Sequence, residues 1–402
     1  MNKKHMNKKN VNKKNVNKKR MKILILTNYA NGLWLFRKEL LLAFMEEGHT
    51  VYVSLPPDEN VDKLKSLRCR DSAAHICIIE TPFERRGNNP IKDLKLFRTY
   101  QRLLGKYQPD VVLTYTIKPN LYGGLACRLG GVPYLCNMTG LGTAIENGGA
   151  LSRILLLFYK ISMKKARRVF FQNTGNRDFM NRHGVAVHNS ALLPGSGVNL
   201  EEHRFSPYPP ETEGVIFLAV IRIMKDKGIA EYLEAVRIVT ERHSGTGTPV
   251  KFWLVGEYEE ESRAQYEPLI QALEDSGMLR YFGHIDNVAN VMAQSHVIVH
   301  PSYHEGLSNV LLEAAACGRP VLAGNISGCV ETFSEGESGF GFAIKSADAL
   351  VSAIERILAL SCEDRERMGR RARAWVEQHF DRKLVLQAYR DALSELNRTI
   401  KK

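Results

Sequence analysis

Four charged side chains stand at spacings that suit phosphate and sugar chemistry. Glu305 and Glu313 have seven residues between them in YHEGLSNVLLEAAACGRPVLAG, Tyr303 to Gly324. Arg222 and Lys227 have four between them in Arg222-Ile-Met-Lys-Asp-Lys-Gly228. A carboxylate accepts hydrogen bonds from vicinal sugar hydroxyls. Two fixed cations can clamp a diphosphate and stabilise it as it leaves.

The surrounding pattern must position these groups. His296 to His300 reads as a buried strand, followed by a Pro301-Ser302 turn. Leu307 to Ala316 reads as a helix that Gly318-Arg-Pro320 stops before a strand, Val321 to Ala323. The helix N-terminus then lies at a strand's carboxyl end, where free amides and the helix dipole favour phosphate. Gly306, Leu307, Ser308 and Asn309 would supply those amides. If the helix begins near Glu305, both acids point to roughly one side. Arg222 and Lys227 occupy the loop after another strand, Val215 to Ile221, and precede a helix from Ile229 to Arg242. A phosphate cradle flanked by two acids suits a nucleotide-sugar. A surface helix with two solvated acids would share the spacing but not the strand-turn-helix-strand setting.

Glu305-x7-Glu313, within HEGLSNVLLEAAACGRPV, resembles the signature of the retaining glycosyltransferases of family 4, which have the GT-B fold. Arg222-x4-Lys227-Gly228 resembles the family's Arg-x4-Lys-Gly element, with Ile221 where glycine is usual. The resemblance implies an α/β protein of two Rossmann-like domains facing across a cleft. It implies Glu305 on the donor sugar, Glu313 on the ribose, and Arg222 and Lys227 on the diphosphate. Gly256 and the Gly283-His284 neighbourhood would receive the nucleoside. Asn28, Asn31 and Gly32 would line the cleft near the diphosphate and acceptor, and Thr139 and Gly140 would lie near the anomeric carbon. GT-B enzymes leave the diphosphate on protein groups, so no metal or cofactor is expected beyond a UDP-sugar co-substrate. Consistently, no Asp-x-Asp follows a strand to hold Mg²⁺.

The whole-chain pattern looks most like bacterial enzymes that extend sugars on polyprenyl diphosphate. That implies a polyprenyl-diphosphate-linked saccharide as acceptor and work at the inner face of the cell membrane. Arg85-Arg86, and a basic helix end near Lys164 to Arg168, would suit a lipid diphosphate at an anionic surface. A core helix with a basic, dipole-favoured end is the plainer reading of Leu151 to Arg168. Two rivals share parts of the pattern. A UDP-N-acetylglucosamine 2-epimerase of the same fold would need catalytic acids in the first domain, where Asp110 precedes its strand and Glu146 stands alone. A nucleic-acid-binding protein would use the basic tail, and no nucleic-acid partner is expected.

The chain has 402 residues, enough for two α/β domains. They are expected over 21–206 and 213–382, with 383–402 a helix packing back on the first. The net charge of +13 overstates the basicity, because residues 1–20 repeat Asn-Lys-Lys and hold nine of the cations. So polar a run predicts a disordered tail; Met21 then opens the first strand, Lys22 to Thr27. Seven cysteines form no CxxC pair and read as reduced buried thiols of a cytoplasmic protein. No apolar run is long enough to span a bilayer. Asn28 to Gly32 reads as a loop before a helix from Leu33 to Glu47, without the GxGxxG of a dinucleotide site. Gly140-x-Gly142 continues into Glu-Asn-Gly-Gly rather than a helix, which also argues against a nicotinamide site.

Overall fold

A computed structural model of the chain describes residues 20–68, 75–84, 87, 89–146, 148–245 and 249–400. The basic repeat over 1–19 and the pair Arg85-Arg86 lie outside the described residues. The first sheet is built from β1 (Lys22–Leu26), β2 (Thr50–Leu55), β3 (Cys77–Glu80), β4 (Val111–Tyr115), β5 (Tyr134–Met138), β6 (Arg168–Phe171) and β7 (Ser190–Leu192). Its order is β3-β2-β1-β4-β5-β6-β7, with every pairing parallel. The second contains β8 (Val215–Val220), β9 (Val250–Val255), β10 (Leu279–Tyr281), β11 (Val297–His300), β12 (Val321–Gly324) and β13 (Gly339–Phe342). Its order is β10-β9-β8-β11-β12-β13, again all parallel.

Central strands such as VVLTY and YLCNM are buried along their whole length, because helices cover both faces of each sheet. In each sheet the strand order reverses at one point, between β1 and β4 and between β8 and β11. Adjacent loops there leave on opposite sides and open a crevice at the carboxyl ends. The loops after β1, β4, β8 and β11 contain Asn28, Thr116, Arg222 with Lys227, and Glu305. The site candidates therefore gather at the two switch points.

Two arginines fasten the connection between the sheets. Arg319, from the Gly-Arg-Pro stop, is fully buried and donates to the carbonyls of Ser206 (3.0 Å), Pro207 (2.9 Å) and Ala293 (2.6 Å). Arg365 donates through Nε to Glu211 at 2.8 Å. The last helix, Arg382–Ile400, lies on the first domain: Tyr389 and Tyr115 hydroxyls meet at 2.8 Å, and Arg390 pairs with Glu47 at 2.5 Å.

Several local expectations need correction. The helix after β1 spans Ala30–Glu46, so Asn31 and Gly32 belong to its first turn. Asp58 accepts from the amide of Ala30 at 2.9 Å and so caps that earlier start. The amphipathic helix spans Gly149–Met163 and ends before the basic run that starts at Lys164. Arg168 already belongs to β6, where pairing with β5 claims the backbone, and its side chain pairs with Glu395 at 2.6 Å. After Gly142 the chain does form a helix, but only one turn, Thr143–Glu146. Of the described cysteines, Cys362 is exposed rather than buried.

Candidate active site

The loop after β11 runs from Pro301 to Ser308, and its helix begins at Asn309 rather than near Glu305. Ser308 is the cap: its Oγ accepts from the Leu311 amide at 3.4 Å. The Ser308 amide donates to Gly328 O at 2.9 Å, so it is not available to a phosphate. Among the described residues, the amides of Gly306, Leu307 and Asn309 take no protein acceptor.

Because the helix starts late, the two acids do not share a face. Glu305 sits in the loop, where its Oε1 receives Lys227 Nζ at 2.5 Å and His300 Nε2 at 3.0 Å. Burial opposes its charge, but the hydrogen bonds and charges of His300 and Lys227 outweigh that and hold its pKa down to about 2. Glu313, two turns on, meets a different environment. Burial pushes its pKa up to about 7, Arg382 opposing and Glu202 adding to the shift. His203 Nε2 lies 4.0 Å from Glu313 Oε1. Burial lowers His203 to about 4, so at neutral pH this is a neutral ring near a carboxyl and no ion pair.

Lys227 reaches Glu305 because the loops after β8 and β11 touch. Gly228 adopts φ 70°, and a Cβ there would stand 2.2 Å from Pro301 O. The Lys-Gly pairing is thus a geometric requirement of this approach. Arg222 pairs with Glu259 and not with Glu305.

The two domains close on each other at Gly306. A Cβ on Gly306 would lie 2.0 Å from Thr139 O, and the Gly306 carbonyl accepts from Asn173 Nδ2. Thr174 adds bonds through its amide and hydroxyl to Glu331 at 2.9 and 2.6 Å. Around this contact lies a hollow of about 350 Å³. Gly32 and Thr139 line it from the first domain; Arg222, Glu305, Gly306, Leu307 and Asn309 line it from the second. Beside it, Asn28, Thr139 and Gly140 line a smaller recess with Thr116 and Lys118. Arg222 also borders a cleft of about 1000 Å³ lined by Pro56, Pro82, Phe83, Lys92 and Lys118 of the first domain.

Glu313 and His284 lie outside the lining of that hollow. His284 is exposed, with Nδ1 3.2 Å from Glu257 and Nε2 3.4 Å from Asp286. The Gly256 amide donates to Gly283 O at 2.9 Å, tying the β9 and β10 loops beside the Arg222 loop. Asp110 is spent at the opposite end of the sheet, where its Oδ2 accepts from the Lys22 amide at 2.7 Å.

Sequence reading missed three site residues. His300 reads only as the end of a strand, yet it reaches Glu305 Oε1 at 3.0 Å. Arg37 lines the hollow from within a helix's apolar stripe. Thr116, also lining it, holds a left-handed φ of 71°, a strained geometry for a β-branched residue that typically marks a functional loop.

Comparison with known proteins agrees with this geometry. Residues 201–375 match the family described as "Glycosyl transferases group 1", and residues 22–173 match "Glycosyl transferase 4-like". The chain is 26% identical to the N,N'-diacetylbacillosaminyl-diphospho-undecaprenol alpha-1,3-N-acetylgalactosaminyltransferase of Campylobacter jejuni, over 84% of this chain and 89% of the relative. It is 25% identical to the UDP-Gal:alpha-D-GlcNAc-diphosphoundecaprenol alpha-1,3-galactosyltransferase of Escherichia coli, over 66% of this chain and 71% of the relative. Anabaena HepE, solved in complex with UDP and glucose, superposes with a TM-score of 0.74 at 17% identity, covering 93% of this chain and all of the other. That likeness shows the fold, which is GT-B.

Proposed function

The chain belongs to the GT-B glycosyltransferases of family 4, and from that premise we propose that it moves a sugar, an N-acetylhexosamine or related hexose, from UDP to a polyprenyl-diphosphate-linked saccharide. The observation that carries this is the single hollow at both switch points, where Arg222 and the free amides of Gly306, Leu307 and Asn309 face Thr139 of the other domain. The donor's diphosphate is taken by Arg222, Lys227 and those amides, of which the amides are in place before the substrate arrives. Arg222 leaves Glu259 to reach it. Glu305, held ionised by His300 and Lys227, accepts from the donor sugar's hydroxyls and steers its anomeric carbon. Glu313 accepts from the ribose, and Gly256 lies on the nucleoside side.

The acceptor hydroxyl enters past Thr139 and Gly140 and attacks on the face that the diphosphate leaves. The departing phosphate oxygen takes the hydroxyl proton, so anomeric configuration is retained without a protein nucleophile. Both curated relatives described above carry undecaprenyl-diphosphate-linked saccharides in their names, which supports the acceptor class.

Work at the inner face of the cell membrane draws support from the Gly149–Met163 helix. Leu151, Ile154, Leu157 and Ile161 form an exposed apolar stripe along it. Arg153 and Lys160 flank the stripe, and Lys164 and Lys165 follow, as on a helix lying in an anionic lipid interface. No described helix is long and apolar enough to cross a membrane.

The test is incubation with a panel of UDP-sugars, following UDP release with and without a polyprenyl-diphosphate saccharide. Acceptor-dependent release with one sugar is expected. No release with any of them refutes the assignment.

A further inference from the structure

Among the described residues, four arginines are nine-tenths or more buried: Arg37, Arg319, Arg365 and Arg382. Two have a carboxylate partner, and a third has every guanidinium nitrogen on a carbonyl. Arg382 pairs with Glu39 at 2.7 Å, Arg365 donates to Glu211 at 2.8 Å, and Arg319 is ringed by backbone carbonyls. Arg37 is the exception.

Arg37 falls on the same stripe of its helix as Leu33, Leu40, Leu41 and Phe44, all core residues. It is 4% exposed. One terminal nitrogen donates to Phe36 O at 2.7 Å, and the guanidinium lies 5.6 Å from the centre of the Tyr115 ring. The hydroxyls of Tyr115 and Tyr389 lie beside it and bond to each other at 2.8 Å. Tyr389 in turn donates to Asn137 Oδ1. These contacts orient the guanidinium but bring no negative charge. Among the described residues no carboxylate pairs with Arg37, and its Nε takes no acceptor. Glu39, two residues away, is committed to Arg382 and Asn199.

A buried cation without a counter-charge costs several kcal/mol, and such a charge persists where a ligand's anion completes it. Arg37 lines the 350 Å³ hollow on the wall opposite Glu305, Gly306 and Asn309. Two further buried polar atoms on that lining also take no partner, Thr116 Oγ1 and Asn309 Oδ1. The hollow is thus polar on both walls, with one uncompensated charge on the acceptor side.

We propose that Arg37 is the anion receptor of the acceptor, binding a phosphate oxygen of the diphosphate that carries the acceptor saccharide. This rests on the transfer reaction proposed above. The donor's diphosphate already has Arg222, Lys227 and three free amides on the second domain, so the unmatched charge across the hollow serves the other substrate. Arg37 then gives the site a preference for diphosphate-linked acceptors over neutral glycosides.

The experiment compares wild type with Arg37→Gln and Arg37→Lys, all with the UDP-sugar that wild type uses. Each is given one saccharide in two forms, a polyprenyl diphosphate and a neutral alkyl glycoside. Wild-type turnover of the first form secures the transfer reaction independently. The preference ratio between the forms should shrink roughly thirtyfold or more in Arg37→Gln, as when one partner of a buried charge pair is lost. Arg37→Lys should keep part of it. UDP affinity, measured by calorimetry, should stay within about twofold, since the proposed donor contacts all come from the second domain, across the hollow from Arg37. An equal loss on both acceptor forms, or a fall in UDP affinity, overturns the assignment. Should Arg37→Gln fail to fold, inhibition of wild type by inorganic pyrophosphate decides. Competition against the lipid-diphosphate acceptor supports the proposal, and competition against the UDP-sugar alone overturns it.

Discussion

Glu313 should leave a signature in the pH dependence of donor use. Its carboxyl titrates near 7 because burial disfavours the charge and Glu202 adds to that, while Arg382 only partly offsets them. If the ionised form is the one that accepts from the ribose, kcat/KM for the UDP-sugar rises with pH through that value. At pH 6 about one tenth of the enzyme carries the charge and at pH 8 about nine tenths, so the two rates should differ about tenfold. Glu313→Gln removes the ionisation. It exchanges hydrogen bonds to a charged acceptor for bonds to a neutral one, a loss of about 1–2 kcal/mol, or roughly five- to thirtyfold in kcat/KM at pH 8. The acid limb should vanish with it. Stability should move the other way. A carboxyl whose folded pKa is raised binds its proton more tightly in the folded state. Stability from this group is therefore fully present below about 4.5 and falls as pH rises to about 7. Above that, Glu313→Gln should be more stable than wild type by up to about 3 kcal/mol. UDP release from pH 5.5 to 8.5 and urea unfolding at pH 5 and 8 supply both readouts. An acid limb that persists unchanged in Glu313→Gln refutes the reasoning.

Lys227→Met removes one partner of a largely buried pair and should lower unfolding stability by roughly 3 kcal/mol, read by urea titration, with turnover falling below detection. Glu305 has the opposite linkage to Glu313: its folded pKa is depressed, so its contribution is present above about 4.5 and is lost as pH falls toward about 2. Glu305→Gln and wild type should differ in stability at pH 6 and converge by about pH 2; a difference unchanged across that range would remove the His300–Glu305–Lys227 account. Gly306→Ala places a methyl against Thr139 O and should prise the domains apart, lowering kcat with little change in unfolding of either domain. Replacing Ile154 and Leu157 by glutamate should abolish co-sedimentation with anionic vesicles while leaving turnover of a water-soluble acceptor intact; unchanged sedimentation sinks the membrane-facing stripe.

The repeating alternation of apolar strand and amphipathic helix made the architecture readable, because strands buried on both faces must be continuously apolar. The strands expected over Lys22 to Thr27 and Val215 to Ile221 are observed over Lys22–Leu26 and Val215–Val220 for that reason. Boundaries failed where a single cap set them. Asp58 starts the first helix at Ala30, and Ser308 delays the helix after β11 to Asn309. Arg37 carried a signal, a cation in register with Leu33, Leu40 and Leu41, but register alone does not tell a compensated arginine from an uncompensated one. Arg319 and Arg365 are buried too and serve the linker.

The two acids of the signature show what spacing leaves out. Seven intervening residues place Glu305 and Glu313 on one segment, yet their protons are held about as differently as two carboxyls in one site can be. The difference comes from surroundings that the spacing does not give: His300 and Lys227 around Glu305, and burial with Glu202 against Arg382 at Glu313. A group that must steer a sugar while staying charged is braced by cations. A group that grips a ribose reversibly can be left costly in its charged form, because hydroxyl donors from the nucleoside then recover that cost on binding. The nucleotide would thereby stabilise the protein most where the free enzyme is weakest. At equal UDP concentration, UDP should raise the melting temperature more at pH 8 than at pH 5.5, and a shift independent of pH would detach Glu313 from the ribose.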